Sequence, residues 1–250
     1  MSSFKDHFSG HAAEYARFRP QYPEALFEWL ASLPARRDRA WDCGTGSGQA
    51  ARGLARWFSN VIATDASAEQ LERAEPCDRV TYCVARAESS GVDADSVDLV
   101  TVAQALHWFD LDKFYSEVRR VARPGGVFAS WCYGLSRITP EVDAVIEHLY
   151  SDIVGSYWPP ERRFIEEQYR TLPLPFPRIQ APPFAMTADW SLHDLIGYLG
   201  TWSAVQAYRR QNGADPLETV ARDLHAAWGP PESIRRIDWP LYFHAGRIET

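Results

Sequence analysis

Ten residues, Ala40-Trp41-Asp42-Cys43-Gly44-Thr45-Gly46-Ser47-Gly48-Gln49, constrain this chain more than any other stretch. They read as the end of a buried strand, a tight turn with three alternating glycines, and the opening of a helix. Glycine takes positive φ at no steric cost, so a loop without side-chain bulk lets backbone meet a ligand. The following helix carries Ala51, Leu54, Ala55 and Phe58 at helical spacing. The free amide hydrogens at its start suit a carboxylate or phosphate. A second strand, Val61-Ile62-Ala63-Thr64-Asp65, ends in an acid. An acid about 20 residues into such a unit is placed to hold the two hydroxyls of a ribose. The unit is therefore suited to a nucleoside-containing cofactor.

Two details separate the candidate cofactors. Nicotinamide enzymes place two residues before the last glycine of their fingerprint, whereas only Ser47 separates Gly46 from Gly48. Asp42 stands two positions before the first glycine, where its negative charge repels a pyrophosphate but favours the amino group of a methionine moiety. This Asp-x-Gly-x-Gly-x-Gly pattern resembles the first motif of class I S-adenosylmethionine-dependent methyltransferases.

The rest of the chain supplies the alternation that an α/β sheet needs. Pro23 fits a first helical turn, ahead of the stripe Leu26, Phe27, Leu30, Leu33, and Pro34 ends it. Ser67 and Gln70 form a capping-box pattern for a second helix, which Pro76 stops. Residues 80–85 and the nearly all-apolar 97–103 read as strands, the latter central. Asp110 caps a helix with stripe Leu111, Phe114, Val118 and Val121; Pro124-Gly125-Gly126 then turns into strand 127–133. Five strands alternating with helices predict a doubly wound, mostly parallel sheet. Its ligands bind beyond the carboxyl ends of the strands. The loop at 44–48, Asp65, Ala87–Glu88 and Gln104–Trp108 all fall there.

Beyond residue 135 the pattern predicts a helix with stripe Val142, Val145, Ile146, Leu149, then a proline-rich connection, a strand at 184–190, helices at 201–210 and 217–228, and a last strand within 234–248. Asp93, Asp95 and Asp98 lack the glycine and glutamate of a calcium loop and read as turn and strand-entry residues. His7 and His11 share a helical spacing but have no further ligand nearby, so no metal site is expected.

Charge narrows the partners. With 26 basic and 33 acidic residues among 250, the net charge is −7, which opposes a broad nucleic-acid surface. Cys43, Cys77, Cys83 and Cys132 form no Cys-x-x-Cys pair, as expected of reduced thiols in a cytoplasmic protein. No signal peptide and no membrane-spanning run is visible.

Five segments narrow the resemblance: Phe18-Arg19-Pro20-Gln21-Tyr22-Pro23, Asp42 to Gly48, Ala105-Leu106-His107-Trp108-Phe109-Asp110, Arg123-Pro124-Gly125-Gly126 and Thr201-Trp202-Ser203. Together they resemble the type 11 methyltransferases, and trans-aconitate methyltransferase-like enzymes among them. The resemblance implies a seven-stranded Rossmann-like sheet, its last strand antiparallel, with a helical lid. It implies one methyltransferase domain over 1–250: an amino-terminal lid and helix (1–35), a cofactor core (36–134), a lid insertion (135–183) and carboxyl-terminal helices and strands (184–250). It implies S-adenosylmethionine as cofactor and S-adenosylhomocysteine as product. Asp42, Gly44, Thr45, Gly46 and Gly48 would line the methionine part. Asp65 would hold the ribose, Ala66 and Ala87 would border the adenine with Glu88 beside it, and Gln104 would lie beneath the cofactor. Many relatives carry an acid where Arg86 stands, and an arginine cannot accept from an adenine amino group.

Tyr15, Arg19 and Tyr22 are expected to close over the cleft, with Arg19 pairing the methionine carboxylate. His107 is the best-placed general base for a phenol, thiol or amine, whereas a carboxylate acceptor needs none. His107, Trp108, Trp131, Trp158 and Trp202 are the candidate substrate contacts, with Tyr133 and Tyr157 in the same aromatic group. The function expected is methyl transfer to a small-molecule carboxylate or hydroxyl, by a monomer or homodimer. A methyltransferase acting on nucleic acid or protein, and a non-catalytic S-adenosylmethionine-binding protein, are the alternatives.

Overall fold

The computed structural model describes residues 18–249; Tyr15, His7, His11 and the rest of the expected amino-terminal closing segment up to residue 17 lie outside them. Helix α1 (Glu24–Ser32) follows Pro23 and buries Leu26, Phe27, Leu30 and Ala31. Strand β1 (Arg39–Cys43), helix α2 (Gln49–Leu54) and strand β2 (Asn60–Asp65) form the glycine-loop unit. A short helix α3 (Ala68–Leu71) and strand β3 (Val80–Val84) follow, then β4 (Val97–Ala103), helix α4 (Leu111–Val121) and β5 (Ala122–Tyr133). Helices α5 (Pro140–His148) and α6 (Arg162–Glu166) lead to β6 (Ala185–Trp190). Helices α7 (Leu192–Gly200), α8 (Ser203–Asn212) and α9 (Pro216–Trp228) precede β7 (Arg235–Arg247).

The strands form one seven-stranded sheet in the order β3-β2-β1-β4-β5-β7-β6. The first five run parallel, and β7 lies antiparallel between β5 and β6. This is the Rossmann-like methyltransferase sheet that the alternation and the family resemblance predict. Strand order reverses between β1 and β4, and parted loops at such a point open a crevice. Alternate side chains of each strand enter opposite layers. Ala40, Leu99, Ala129 and Trp131 join α1, α2 and the carboxyl-terminal helices on one face. Trp41, Val100, Phe128 and Cys132 join α4 on the other.

Three local departures have physical reasons. Ser67 Oγ accepts from Gln70 N at 3.3 Å, as the capping pattern predicts, yet α3 runs only from Ala68 to Leu71; none of its residues is buried, so packing adds little to propensity. Strand β5 begins before its Pro-Gly-Gly turn, because Ala122 already pairs with Val97 before the register shifts to Leu99↔Val127. Within the stretch expected as a lid insertion, Ile165, Tyr169, Leu172 and Phe176 are buried in the α4-side core. A Cβ on Gly246 would meet Phe176 Cβ at 2.7 Å, so β7 needs a glycine where this segment crosses it.

The amino ends of the central strands are tied by charge. Asp98, 4% exposed, accepts from Asp38 N at 2.8 Å and Arg39 N at 2.9 Å, and Arg123 Nη1 donates to it at 2.8 Å. Glu117 of α4 accepts from Ser90 N at 2.9 Å and Ser90 Oγ at 2.6 Å and pairs with Arg120. The Arg120 hydrogen bond is the main reason its carboxyl falls to about 2. Among the described residues, no helix is long and apolar enough to cross a membrane, and no cluster of three or more His, Cys, Asp or Glu is placed to hold a metal. The four cysteines are free thiols.

Candidate active site

The glycine loop is shaped by contacts on both sides. Gly44, Gly46 and Gly48 have φ of 68°, 55° and 80°, the left-handed region that glycine enters freely. A Cβ on Gly44 would lie 2.6 Å from Ala105 Cβ, and one on Gly48 would collide with the Tyr82 ring. Gly46 differs: among the described residues its Cβ would meet only Gln70 Oε1, at 3.9 Å. Among the described residues the loop thus packs tightly at its two ends and leaves space beside Gly46.

Asp42 braces this loop from beneath. It is 0% exposed, and its two oxygens accept from Thr45 Oγ1 at 2.6 Å and Thr101 Oγ1 at 2.8 Å. Burial, with Asp65 as a nearby like charge, pushes its carboxyl up to about 6 against the pull of those hydroxyls. Asp65 ends β2 and accepts from Gly46 N and Ser67 N, each at 2.9 Å. Ala66 is half-buried beside it. The acid expected at the ribose and the loop expected at the methionine are therefore joined by one hydrogen bond.

The adenine side is less open. Ala87 is buried. Glu88 Oε1 accepts from Asp110 N at 3.0 Å, so its carboxylate is engaged at the start of α4. Arg86 bridges to Ser89 across the turn. Gln104 closes β4 with φ of 57°, rare for a residue with a Cβ. Its amide reads the backbone of Tyr133 twice, donating to its oxygen at 3.1 Å and accepting from its nitrogen at 3.2 Å.

The amino-terminal segment crosses this end of the sheet. Gln49 Nε2, at the start of α2, donates to Pro20 O at 3.1 Å. Arg19 Nη1 donates to Tyr133 Oη at 2.7 Å, and its guanidinium lies 5.7 Å from the Tyr198 ring centre. Tyr22 meets Trp131 edge-on at 5.4 Å. Trp131 itself is 0% exposed and packs between Tyr22 and Phe243, with its buried indole N–H lacking a partner among the described residues. Trp158 and Trp202 stand 5.6 Å apart around Tyr150.

His107 lies in the single turn Leu106–Trp108 after β4. It is 8% exposed, with the Trp108 ring 4.8 Å away and its Nδ1 2.9 Å from Tyr169 Oη. Burial, and then the charge of Arg162, push its pKa down to about 3. Such an imidazole is neutral at physiological pH and too weak a base to draw a proton readily. Arg162 lies over Trp158 at 4.6 Å, donates from Nε to Tyr150 Oη at 2.8 Å, and lines a recess of about 420 Å³ with Tyr150, Trp158 and Glu166. Tyr169, Arg162 and Tyr198 escape a reading of the sequence, because no motif links them to His107 or Arg19.

A doubly wound sheet with an open glycine loop and an acid beside it at the switch point defines a nucleoside-cofactor enzyme. The chain belongs to the S-adenosylmethionine-dependent methyltransferases. The methyltransferase domain family of type 11 matches residues 41–130. A candidate methyltransferase of Dictyostelium discoideum is 35% identical, over 99% of this chain and 97% of its own. The structure of a candidate type II methyltransferase from Anaeromyxobacter dehalogenans is 53% identical with a TM-score of 0.87, covering 92% of this chain and 98% of its own. A methyltransferase of Pestalotiopsis fici is 28% identical, over 94% of this chain and 76% of its own. Enzymes of this family use S-adenosylmethionine, and the residues present fit it: among the described residues a Cβ at Gly46 would meet only Gln70 Oε1, and the Asp65 carboxylate is directly adjacent.

Proposed function

We propose that the crevice at the carboxyl ends of β1, β2 and β4 holds S-adenosylmethionine and passes its methyl group to a small-molecule acceptor, a carboxylate or hydroxyl. The observation that carries the cofactor placement is the 2.9 Å bond between Gly46 N and Asp65, which sets the open loop and the acid as one surface. Asp65 takes the ribose hydroxyls. Gly44, Thr45, Gly46 and Gly48 supply backbone to the methionine part, and Asp42, sealed beneath, keeps that backbone in place. Ala66 and Ala87 border the adenine; Gln104, Arg19 and Tyr22 bound the crevice on the other side. When bound, the cofactor supplies a methyl on a sulfonium already activated for in-line displacement. The chain's own task is then to align the acceptor and keep water out.

Two features favour a small, ionised acceptor. Arg19, Tyr133, Tyr198, Trp202 and Trp158 form one continuous run of cationic and aromatic contacts, which suits a small anion more than a duplex or a protein tail. His107 is held neutral and weakly basic, and a carboxylate needs no base because it is ionised at neutral pH. A screen of small acids, phenols and amines for S-adenosylhomocysteine release tests this. Turnover with phenols or amines alone would reject the carboxylate reading, and none with any member would reject the small-molecule reading.

Calorimetry tests the cofactor contacts. Micromolar binding, about 8 kcal/mol at the standard state, is expected for S-adenosylmethionine. Asp65→Ala should lose roughly 1.5–3 kcal/mol for each charge-assisted hydrogen bond to the ribose. An unchanged affinity would move the ribose elsewhere.

A further inference from the structure

Tyr169 is fully buried, and it is placed at a cost. Gln168 and Tyr169 are consecutive non-glycine residues with φ of 58° and 61°. The left-handed region is disfavoured for side chains with a Cβ, and where it is kept the surroundings must impose it. Glycine commonly takes such positions after a helix end, yet here the chain leaving α6 uses two large residues. Their backbone is fixed by Gln168 N→Ile165 O and Tyr169 N→Phe164 O, each 2.8 Å. The result sends the phenol across to the turn after β4, 62 positions away in sequence, where it meets His107 Nδ1 at 2.9 Å.

The direction of that hydrogen bond can be deduced. Burial raises the phenol's pKa far above its usual value, so its oxygen keeps a proton to give. That hydroxyl is sealed from water, and among the described residues its one hydrogen-bond contact is His107 Nδ1, so this nitrogen is the acceptor its proton has. The neutral imidazole offers one bare nitrogen and one N–H. The buried phenol therefore donates to the bare nitrogen, which is Nδ1, and leaves the imidazole proton on Nε2. That nitrogen has no hydrogen-bond partner among the described residues. It is also not sealed from solvent, unlike Nδ1 of His244, which is buried without a partner. The groups facing this pair are the Trp108 and His244 rings, the charge of Arg162 and, around the phenol, Cys132 and Tyr22.

We propose that Tyr169 is a positioning residue: by donating to Nδ1 it fixes His107 in the tautomer that carries its proton on Nε2, so the acceptor site presents a hydrogen-bond donor to an oxygen of the methyl acceptor. His107 then orients a carboxylate or carbonyl group and takes no proton from it. A donor held this way costs no reorganisation when substrate arrives. The substrate role rests on reading this crevice as the acceptor site; the tautomer does not.

Nuclear magnetic resonance of the full chain labelled with ¹⁵N-histidine separates the two, with His107→Asn identifying the signal. The expected spectrum shows one neutral species with the proton on Nε2, unchanged between about pH 5 and 8, where an ordinary histidine titrates. Tyr169→Phe should give a mixture of tautomers. With the fastest substrate of the acid screen, it should also raise the acceptor KM roughly three- to tenfold, as loss of one hydrogen bond's alignment would, leaving the S-adenosylmethionine KM unchanged. A proton on Nδ1 in the wild-type protein, titration in that range, or an unaltered Nε2–H species in a folded Tyr169→Phe protein would overturn the proposal. An Nε2–H tautomer in a protein that methylates nothing would reject the acceptor-site reading and leave the Tyr169 assignment standing.

Discussion

The central strands carry a buried carboxylate at each end, and the two are held in opposite ways. At the amino end, Asp98 is met by two backbone amides and the guanidinium of Arg123. At the carboxyl end, Asp42 is met by two threonine hydroxyls and has no ion-pair partner among the described residues. Burying a charge is costly unless it is paired and hydrogen-bonded. Asp98 satisfies that rule, and Arg123 in turn holds its proton more firmly, chiefly through Asp98. Asp42 meets it only in part, so its carboxyl rises to about 6. The amino end is thus built to be stable, while the carboxyl end keeps a marginal charge beneath the glycine loop. Departures from good electrostatics of this kind concentrate where function requires them.

The largest test of this contrast is Asp98→Ala. It strands two amides and an arginine, and removing one partner of a buried pair costs about 3–5 kcal/mol. Denaturant unfolding should register that loss, while the protein that remains folded should bind cofactor normally. Weakened binding without lost stability would contradict the division of labour between the two ends.

Asp42→Asn comes next and appears in the pH dependence. Because the folded carboxyl has a raised pKa, the stability it contributes is present below about 3.8 and is lost as pH rises towards about 6. A shift of that size corresponds to something on the order of 3 kcal/mol. Unfolding measured across that window should slope downward in the wild-type protein and lose that component of the slope in the variant. Since Asp42 is sealed, S-adenosylmethionine affinity should fall less than with Asp65→Ala; an equal loss would mean that Asp42 reaches the ligand.

The smallest effect belongs to Gly44→Ala. A left-handed alanine costs about 1–2 kcal/mol, and the new methyl would press on Ala105. Thermal unfolding should shift modestly, and calorimetry should show cofactor binding weakened in the same variant. A neutral result would show that the loop relaxes without using the freedom of glycine.

What the sequence discloses follows the range of the forces involved. Periodicity and caps are local, so β1 to β5, the Asp110 cap and α9 with its Asp215 cap are all legible. The helix Leu192–Gly200 is absent from the expected elements, although Ser191 and Asp194 form a reciprocal capping box at its start. The placement of Gly44–Gly48 and Asp65 at strand carboxyl ends follows from topology alone. By contrast, Tyr169 reaches His107 through tertiary packing, and no spacing announces it. The layer that Trp131 enters is hidden for a related reason: a tryptophan on a central strand belongs to whichever layer its register selects, and register is not written in the residue itself.

Gln104 carries one more consequence. In an ordinary sheet the backbone does two things at once: it advances the chain and it supplies the next rung of hydrogen bonds. At the end of β4 these are divided between backbone and side chain. The left-handed turn sends the chain away towards His107, while the side-chain amide imitates a peptide group and pairs with Tyr133 in its place. Strand β5 therefore runs beyond the last backbone pair with its neighbour, Ala103↔Trp131, and the Gln104 side chain extends the ladder to Tyr133.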